Sequence, residues 1–211
     1  MNIILMATLT RSLPEKKRRP RLWAMLSVEI FILYLFMYGL FVVGGLSFFN
    51  RGSVNHWWII TYIPFLLAVV VLITTFFDWS PPVTLVGWLS NASRFIATVL
   101  CCFAITLYVY ALNSGQYKQA MWHQLDGPDK IIITKAYRYI RHPIYTAYIL
   151  FFVGAVFAVM NIYMLIVAIY GVLILNYTAN KEEREILNTE RSAVYRDYMR
   201  ATGKFFPRFF D

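Results

Sequence analysis

Four long stretches of this 211-residue chain lack Asp, Glu, Lys and Arg, and this segregation of charge constrains its fold more than any other feature. They are residues 30–50, 52–77, 95–117 and 143–180, and His56 is the one basic side chain among them. A helix that crosses the hydrocarbon of a bilayer needs about 20 apolar residues. Because a soluble domain rarely contains several such runs, the chain is predicted to be an integral membrane protein.

The same runs predict five membrane-spanning helices, at about 25–46, 57–77, 92–112, 143–160 and 162–180. The last run is about twice the length of one span, so it should form a helical hairpin that turns near Met160 and Asn161. Beyond Asn180 apolar residues recur at near-helical spacing, which predicts an amphipathic helical extension that stops at Gly203. The predicted fold class is all-α: a polytopic membrane protein with a C-terminal amphipathic helix.

No repeat or linker divides the chain, and we predict a single membrane domain over residues 1–211. It comprises a basic N-terminal arm (1–21), the first three spans (22–112) and a C-terminal part (113–211). The C-terminal part holds a polar loop, the helical hairpin and the amphipathic helix.

The net charge of +9 does not indicate a nucleic-acid partner, because of where the basic residues lie. A cluster at 16–21 directly precedes the first span, and most other Lys and Arg lie in the loop at 113–141 and in the tail after 180. This pattern is typical of segments that flank a membrane. The loop and tail carry more basic residues than the arm, which predicts that they face the cytoplasm. Three spans would then place the basic arm outside, so the orientation of the N-terminus stays open.

Arg141-His142-Pro143, directly before the fourth span, is the motif with the clearest chemistry. Proline suits the first turn of a helix, so Arg141 and His142 should lie at a helix N-terminus, where an anion is favoured. Tyr137 and Tyr145 add aromatic faces and hydroxyls on either side. Together these residues suit a ligand that has a carboxylate and a flat ring. The alternative is a belt of aromatic and basic residues at the membrane interface, which needs no ligand.

A pair of carboxylates, Glu182 and Glu183, follows the fifth span. The hairpin should return this end of the span to the membrane face where the fourth span starts, close to Arg141 and His142. A carboxylate pair can hold a cationic ligand group; the alternative is a solvated face with Lys181 and Arg184 as ordinary partners.

No metal site is predicted. Cys101 and Cys102 are adjacent within the third span, and no group of Cys and His has zinc-ligand spacing. Motifs of phosphate-binding or dinucleotide-binding loops are also missing.

The order of these elements closely resembles the superfamily of isoprenylcysteine carboxyl methyltransferases and phospholipid methyltransferases. The resemblance covers roughly residues 115–207: the run from Tyr137 to Tyr145, the hairpin, Glu182 and Glu183 with Leu187, and then Tyr195, Tyr198 and Pro207. It implies an integral-membrane enzyme that uses S-adenosylmethionine, and a lipid or lipidated acceptor that enters from the bilayer. The implied cofactor-binding residues are Tyr137, Arg141, His142, Tyr145, Glu182 and Glu183, with Gln119 and His123 as further polar residues in the loop.

No residue is assigned as a catalytic acid or base. The methyl group of S-adenosylmethionine is already activated, so the enzyme mainly aligns acceptor, methyl carbon and sulfur. The resemblance favours methylation of a carboxylate, with N-methylation of a phospholipid or another amine as the alternative. Prenylcysteine methyltransferases of the eukaryotic type resemble one another in carrying an arginine in the fifth span. This chain has none between Asn161 and Asn180, which leaves the acceptor open.

Two other classes fit the sequence less well. Membrane sterol reductases, which use NADPH, resemble this chain in the Arg-His-Pro triplet but follow it with Asn-Tyr and then an acidic residue. Here Ile144 takes the place of that asparagine, and Thr146-Ala147-Tyr148 contains no acid. The other class is a membrane scaffold or transporter without enzymatic activity, of which transport is disfavoured because the chain has no internal repeat and no polar residues in mid-span.

Overall fold

The computed structural model describes residues 31–39, 41, 56–77, 79, 87–114, 131 and 133–208. Residues 31–39 are helical. The helices with defined bounds are α1 (His56–Phe76), α2 (Gly87–Leu112), α3 (Pro143–Val159), α4 (Ile162–Leu187) and α5 (Ser192–Ala201), with a 3-10 turn at Lys135–Arg138. No strand occurs within these ranges, and an isolated bridge pairs Ile140 with Gly203. The predicted all-α class is therefore confirmed for this part of the chain, whereas the basic arm (1–21), Gln119 and His123 lie outside it.

Two of the described helices, α2 and α4, are long and apolar enough to cross a membrane by length and composition. The apolar part of α1, Ile60–Phe76, and helix α3 are shorter. The predicted second to fifth spans each coincide with a helix, and the number that cross a bilayer stays a prediction. Helix α2 begins at Gly87, ahead of the predicted start of the third span at about residue 92.

The predicted hairpin is confirmed by α3 and α4, which reverse direction at Met160 and Asn161. Pro143 occupies the first turn of α3, and Met160 ends that helix in the left-handed conformation at φ 45°. The Asn161 side chain then accepts a hydrogen bond from the Tyr163 N–H at 2.9 Å and caps the start of α4. The two helices also pack closely further along, because the Phe152 ring lies against Gly171.

Helix α2 packs on α3 through a face of small residues. Its buried positions recur at helical spacing and are mostly small: Ser93, Ala97, Cys101, Ala104, Tyr108 and Ala111. Small side chains let two helix backbones approach closely, which is how apolar helices associate where water provides no driving force. The Ser93 hydroxyl donates a hydrogen bond to the Phe157 carbonyl at 2.6 Å, which links the two helices near one end.

Aromatic rings from residues 31–41, α1 and α3 pack against one another, and we call this group the aromatic core. Its members are Tyr34, Phe41, Phe65, Tyr148, Phe151 and Phe152. All six side chains are buried. The ring centroids of Phe41 and Tyr148 lie 4.4 Å apart, and those of Phe65 and Phe152 lie 4.8 Å apart. Such edge-to-face and tilted pairs are the favoured arrangements of aromatic rings.

The C-terminal extension differs from its prediction as one continuous amphipathic helix. Helix α4 continues past the charged residues to Leu187, but a turn at 188–191 separates it from α5. The Thr189 side chain explains the break: its hydroxyl donates to the Ile186 carbonyl at 2.7 Å and accepts from the Arg191 N–H at 3.3 Å. Side-chain bonds of this kind compete with the helical ladder. The turn lets α5 and the residues after it fold back towards the start of α3.

Candidate functional site

Polar side chains meet where the start of α3 and the end of α4 come together, and we call this group the polar cluster; its members are Arg141, His142, Tyr145, Glu182 and Glu183. They are adjacent because the hairpin returns the end of α4 to the beginning of α3. Five of the six predicted site residues that the structure describes form this cluster, and the sixth, Tyr137, packs beside it. The separation in sequence between the two halves is about 40 residues, so only the hairpin explains their contact.

Arg141 is held by three acceptors from two directions. Its Nε donates to Glu183 Oε1 at 2.9 Å, and its Nη1 donates to the Met199 carbonyl at 3.2 Å and to the Thr202 carbonyl. The side chains of Arg141 and Glu183 are only 10% and 9% exposed. A guanidinium presents several donors in a rigid plane, so these partners determine its orientation as well as its charge balance.

Both ring nitrogens of His142 face carboxylates. Nε2 lies 3.1 Å from Glu183 Oε1, and Nδ1 lies 3.4 Å from Glu182 Oε2. Only the imidazolium form donates from both nitrogens. Burial alone would lower the pKa of His142, but the hydrogen bonds and charges of Glu182 and Glu183 outweigh it and raise this pKa above its ordinary value. The arrangement therefore favours a cationic histidine, and its role as a binding residue rather than a base stays a prediction.

Tyr145 joins the second carboxylate to the cluster. Its hydroxyl donates to Glu182 Oε1, and its ring stacks on the His142 ring with centroids 5.5 Å apart and planes 2° from parallel. One turn of α3 thus provides an aromatic face and a hydroxyl donor on the same side as the histidine.

Tyr137 lies on the 3-10 turn and is buried. Its carbonyl accepts a hydrogen bond from the Tyr198 hydroxyl at 2.6 Å, which joins α5 to this turn. Tyr195 is also buried on α5. Tyr198 therefore holds the turn that carries Tyr137 in place, and Tyr195 packs against Tyr198 with ring centroids 5.8 Å apart.

A segment that the sequence analysis did not assign to the site completes it. Residues 202–205 run beside 139–142: the Arg141 N–H donates to the Gly203 carbonyl at 2.9 Å, and the His142 N–H donates to the Lys204 carbonyl at 3.1 Å. Thr146 Oγ1 donates to the Phe205 carbonyl at 2.9 Å. These are mostly backbone contacts, which leave no side-chain signal in the sequence; the sequence predicts Gly203 only as a helix stop.

The neighbours of the acidic pair, and not the pair itself, form a solvated charged face. Lys181 pairs with Glu185 at 4.0 Å, and both side chains are exposed. Glu182 and Glu183 turn inward towards His142 and Arg141. Two faces of one helical segment thus carry charge in different environments, one exposed and one buried against the start of α3.

Comparison with known proteins gives a family match for this part of the chain. Residues 92–190 match the family model of phospholipid methyltransferases, and the matched segment contains the whole polar cluster. No match was found among curated proteins. Residues 92–190, a little under half of the chain, are thus similar to the phospholipid methyltransferases, which belong to the superfamily that the sequence motifs resemble.

Proposed function

We propose that this protein is an integral-membrane, S-adenosylmethionine-dependent methyltransferase that methylates the carboxylate of a lipophilic acceptor. The observation that carries the proposal is the polar cluster itself, two cations and two carboxylates of which most are nearly buried, inside a segment that matches a methyltransferase family. The protein is proposed to be multi-pass, with the cofactor site towards the cytoplasm and the acceptor entering from the bilayer.

The chemistry of the cluster fits the cofactor. The amino-acid end of S-adenosylmethionine is zwitterionic, and the cluster holds groups of both signs: Arg141 and His142 suit the carboxylate, while Glu182 and Glu183 suit the ammonium. Because the four charges of the cluster balance one another, a zwitterionic segment adds no net charge to a nearly buried site. Tyr137 and Tyr145 provide rings and hydroxyls for the remaining flat and polar parts.

The bound cofactor supplies a methyl group that its sulfonium already activates. In transfer to a carboxylate, an acceptor oxygen forms the bond to the methyl carbon as the carbon–sulfur bond breaks, the electron pair goes to sulfur, and no proton moves. The residues of the chain therefore need only to bind and orient the two partners. This agrees with a cluster in which every ionised group already has a partner.

The family match favours a second candidate, N-methylation of an amine-bearing phospholipid, because the family is described as phospholipid methyltransferase. An amine must lose a proton before it attacks. A site that performs this reaction would need a route for that proton, whereas the carboxylate reaction does not.

Calorimetry on the detergent-purified protein tests the cofactor. We expect S-adenosylhomocysteine to bind and NADPH not to bind, and we expect His142→Ala to weaken binding of the former. Absence of S-adenosylhomocysteine binding to the wild-type protein would overturn the proposal. Transfer of a labelled methyl group to prenylcysteine analogues and, separately, to aminophospholipids then decides between the two acceptor classes.

A further inference from the structure

Lys204 places an ammonium group on the outer side of α4. Its Nζ donates to Asn176 Oδ1 and to Asn180 Oδ1, each at 2.6 Å, and also lies 3.3 Å from the Asn176 carbonyl. The two asparagines are one helical turn apart, so both amides face the same point. They hold the end of a long, flexible side chain in one position.

Lys204 differs from the other cations of the site in the groups that it contacts. Arg141 and His142 pair with Glu182 and Glu183, whereas among the residues that the structure describes no carboxylate lies within 4.0 Å of the Lys204 ammonium. Its partners are neutral amide oxygens. Partial burial lowers the pKa of Lys204 from its ordinary value, although the more distant charges of Glu183 and Glu182 oppose that effect.

Lys204 connects the edge of the polar cluster to the apolar surface of α4. The Lys204 carbonyl accepts from the His142 N–H at 3.1 Å, so its backbone belongs to the edge of the polar cluster. The side chain extends from there towards the apolar part of α4, where Leu173 and Tyr177 are exposed. Helical spacing puts Leu173 and Tyr177 on the same side of α4 as Asn176 and Asn180.

We propose that Lys204, held by Asn176 and Asn180, binds the carboxylate of the lipophilic acceptor while the acceptor's apolar chain lies along the face that contains Leu173 and Tyr177. The inference rests on the proposed methyltransferase function and identifies its acceptor class and a specificity-determining residue. Residues 161–180 contain no Lys or Arg of their own. Lys204 therefore supplies from the C-terminal segment a cation that this helix lacks.

The relative affinity for acceptor and product distinguishes acceptor binding by Lys204 from a purely structural role. Methylation converts the acceptor's carboxylate to a neutral ester, so an ammonium that binds the acceptor should bind the product less tightly. The wild-type protein should therefore prefer a free carboxylate over the corresponding methyl ester, and the preference should depend on Lys204.

The test compares Lys204→Met with Lys181→Met, which removes the same charge from an exposed site on α4. For each protein we would measure S-adenosylhomocysteine binding, kcat and KM for a farnesylcysteine analogue, and the ratio of inhibition constants for a carboxylate and its methyl ester. We expect Lys204→Met to raise KM by about tenfold to a hundredfold, the size of a lost hydrogen bond between charged groups, with a much smaller change in kcat. The carboxylate preference should disappear in Lys204→Met, return in part in Lys204→Arg and persist in Lys181→Met.

The outcomes distinguish this inference from the proposed function. If the wild-type protein binds no S-adenosylhomocysteine, both fail. If it methylates the carboxylate and Lys204→Met keeps the wild-type KM and carboxylate preference, Lys204 does not bind the acceptor. If it methylates only aminophospholipids, the methyltransferase function stands and the assignment of Lys204 to a carboxylate is wrong.

Discussion

Two buried groups of very different character lie along helix α3: the polar cluster is at its start, and the aromatic core packs against it further along. In the core, Phe151 contacts several rings, with its centroid 5.1 Å from that of Tyr34 and 5.4 Å from that of Phe41. In the cluster, His142 meets one carboxylate through each ring nitrogen, at 3.1 and 3.4 Å. Core contacts are numerous, weak and largely non-directional, whereas cluster contacts are few and directional.

This difference predicts how each region responds to change. Loss of a core ring removes apolar burial and leaves a cavity, which lowers stability without altering the chemistry of the site. Loss of one charged group in the cluster leaves its partner nearly buried and unpaired. Substitutions in the aromatic core should therefore lower stability alone, whereas substitutions in the polar cluster should lower both stability and ligand affinity.

The largest effect on stability is expected from Phe151→Ala in the core. It should lower the free energy of unfolding by about 3–5 kcal/mol, because a fully buried ring is replaced by a cavity. Denaturant unfolding in detergent micelles measures this loss, and calorimetry on the folded protein should show nearly unchanged affinity for S-adenosylhomocysteine. Phe151→Leu is the control, with an expected loss below about 1.5 kcal/mol. A large loss of ligand affinity in Phe151→Ala would contradict the separation of the two regions.

Glu183→Gln is the matching change in the cluster. We expect it to lower the free energy of unfolding by about 3 kcal/mol, because Arg141 would lose its carboxylate while remaining nearly buried. Unlike the core variant, it should also weaken S-adenosylhomocysteine binding. Glu185→Gln, two residues further along the same helix and exposed, is the matched control and should change both quantities little. If Glu183→Gln and Glu185→Gln had the same free energy of unfolding and the same ligand affinity, the inward position of Glu183 would have no energetic consequence.

A smaller effect should follow from the titration of His142. Because its folded-state pKa is raised above the ordinary value near 6.5, it contributes stability that is fully present below that value and is lost as pH rises through the folded-state pKa. The loss should be about 1 kcal/mol, since the neutral ring donates from one nitrogen only. Thermal unfolding of the wild-type protein and of His142→Gln across neutral and alkaline pH measures it. The wild-type advantage should shrink as pH rises; an advantage that grows with pH would contradict the cationic assignment.

The sequence predicted the helices well because their cause is local. Runs without charge, Pro143 at a helix start and the turn at Met160-Asn161 are each visible in a short stretch of residues. The amphipathic extension was predicted less accurately, since the break after Leu187 depends on how the Thr189 hydroxyl is used. No local pattern states whether a threonine continues or ends a helix.

For the candidate site, the residue types and the return of the hairpin predict that Arg141 and His142 lie near Glu182 and Glu183, but they do not exclude an acidic pair that faces solvent. The sequence did not predict which nitrogen faces which carboxylate, nor that residues 202–205 close the cluster through backbone hydrogen bonds. Backbone groups are the same in every residue, so their pairing is not encoded in any motif.

By itself, the amino-acid sequence therefore determined the helical class, the hairpin and the composition of the site, since burial of apolar runs and helix-start chemistry act over neighbouring residues. Only the tertiary structure decided that Glu182 and Glu183 turn inward while Glu185 does not, and that Lys204 reaches Asn176 and Asn180. Those contacts depend on the rotation of α4 and on the path of the chain after α5. Both are set by packing between segments distant in sequence.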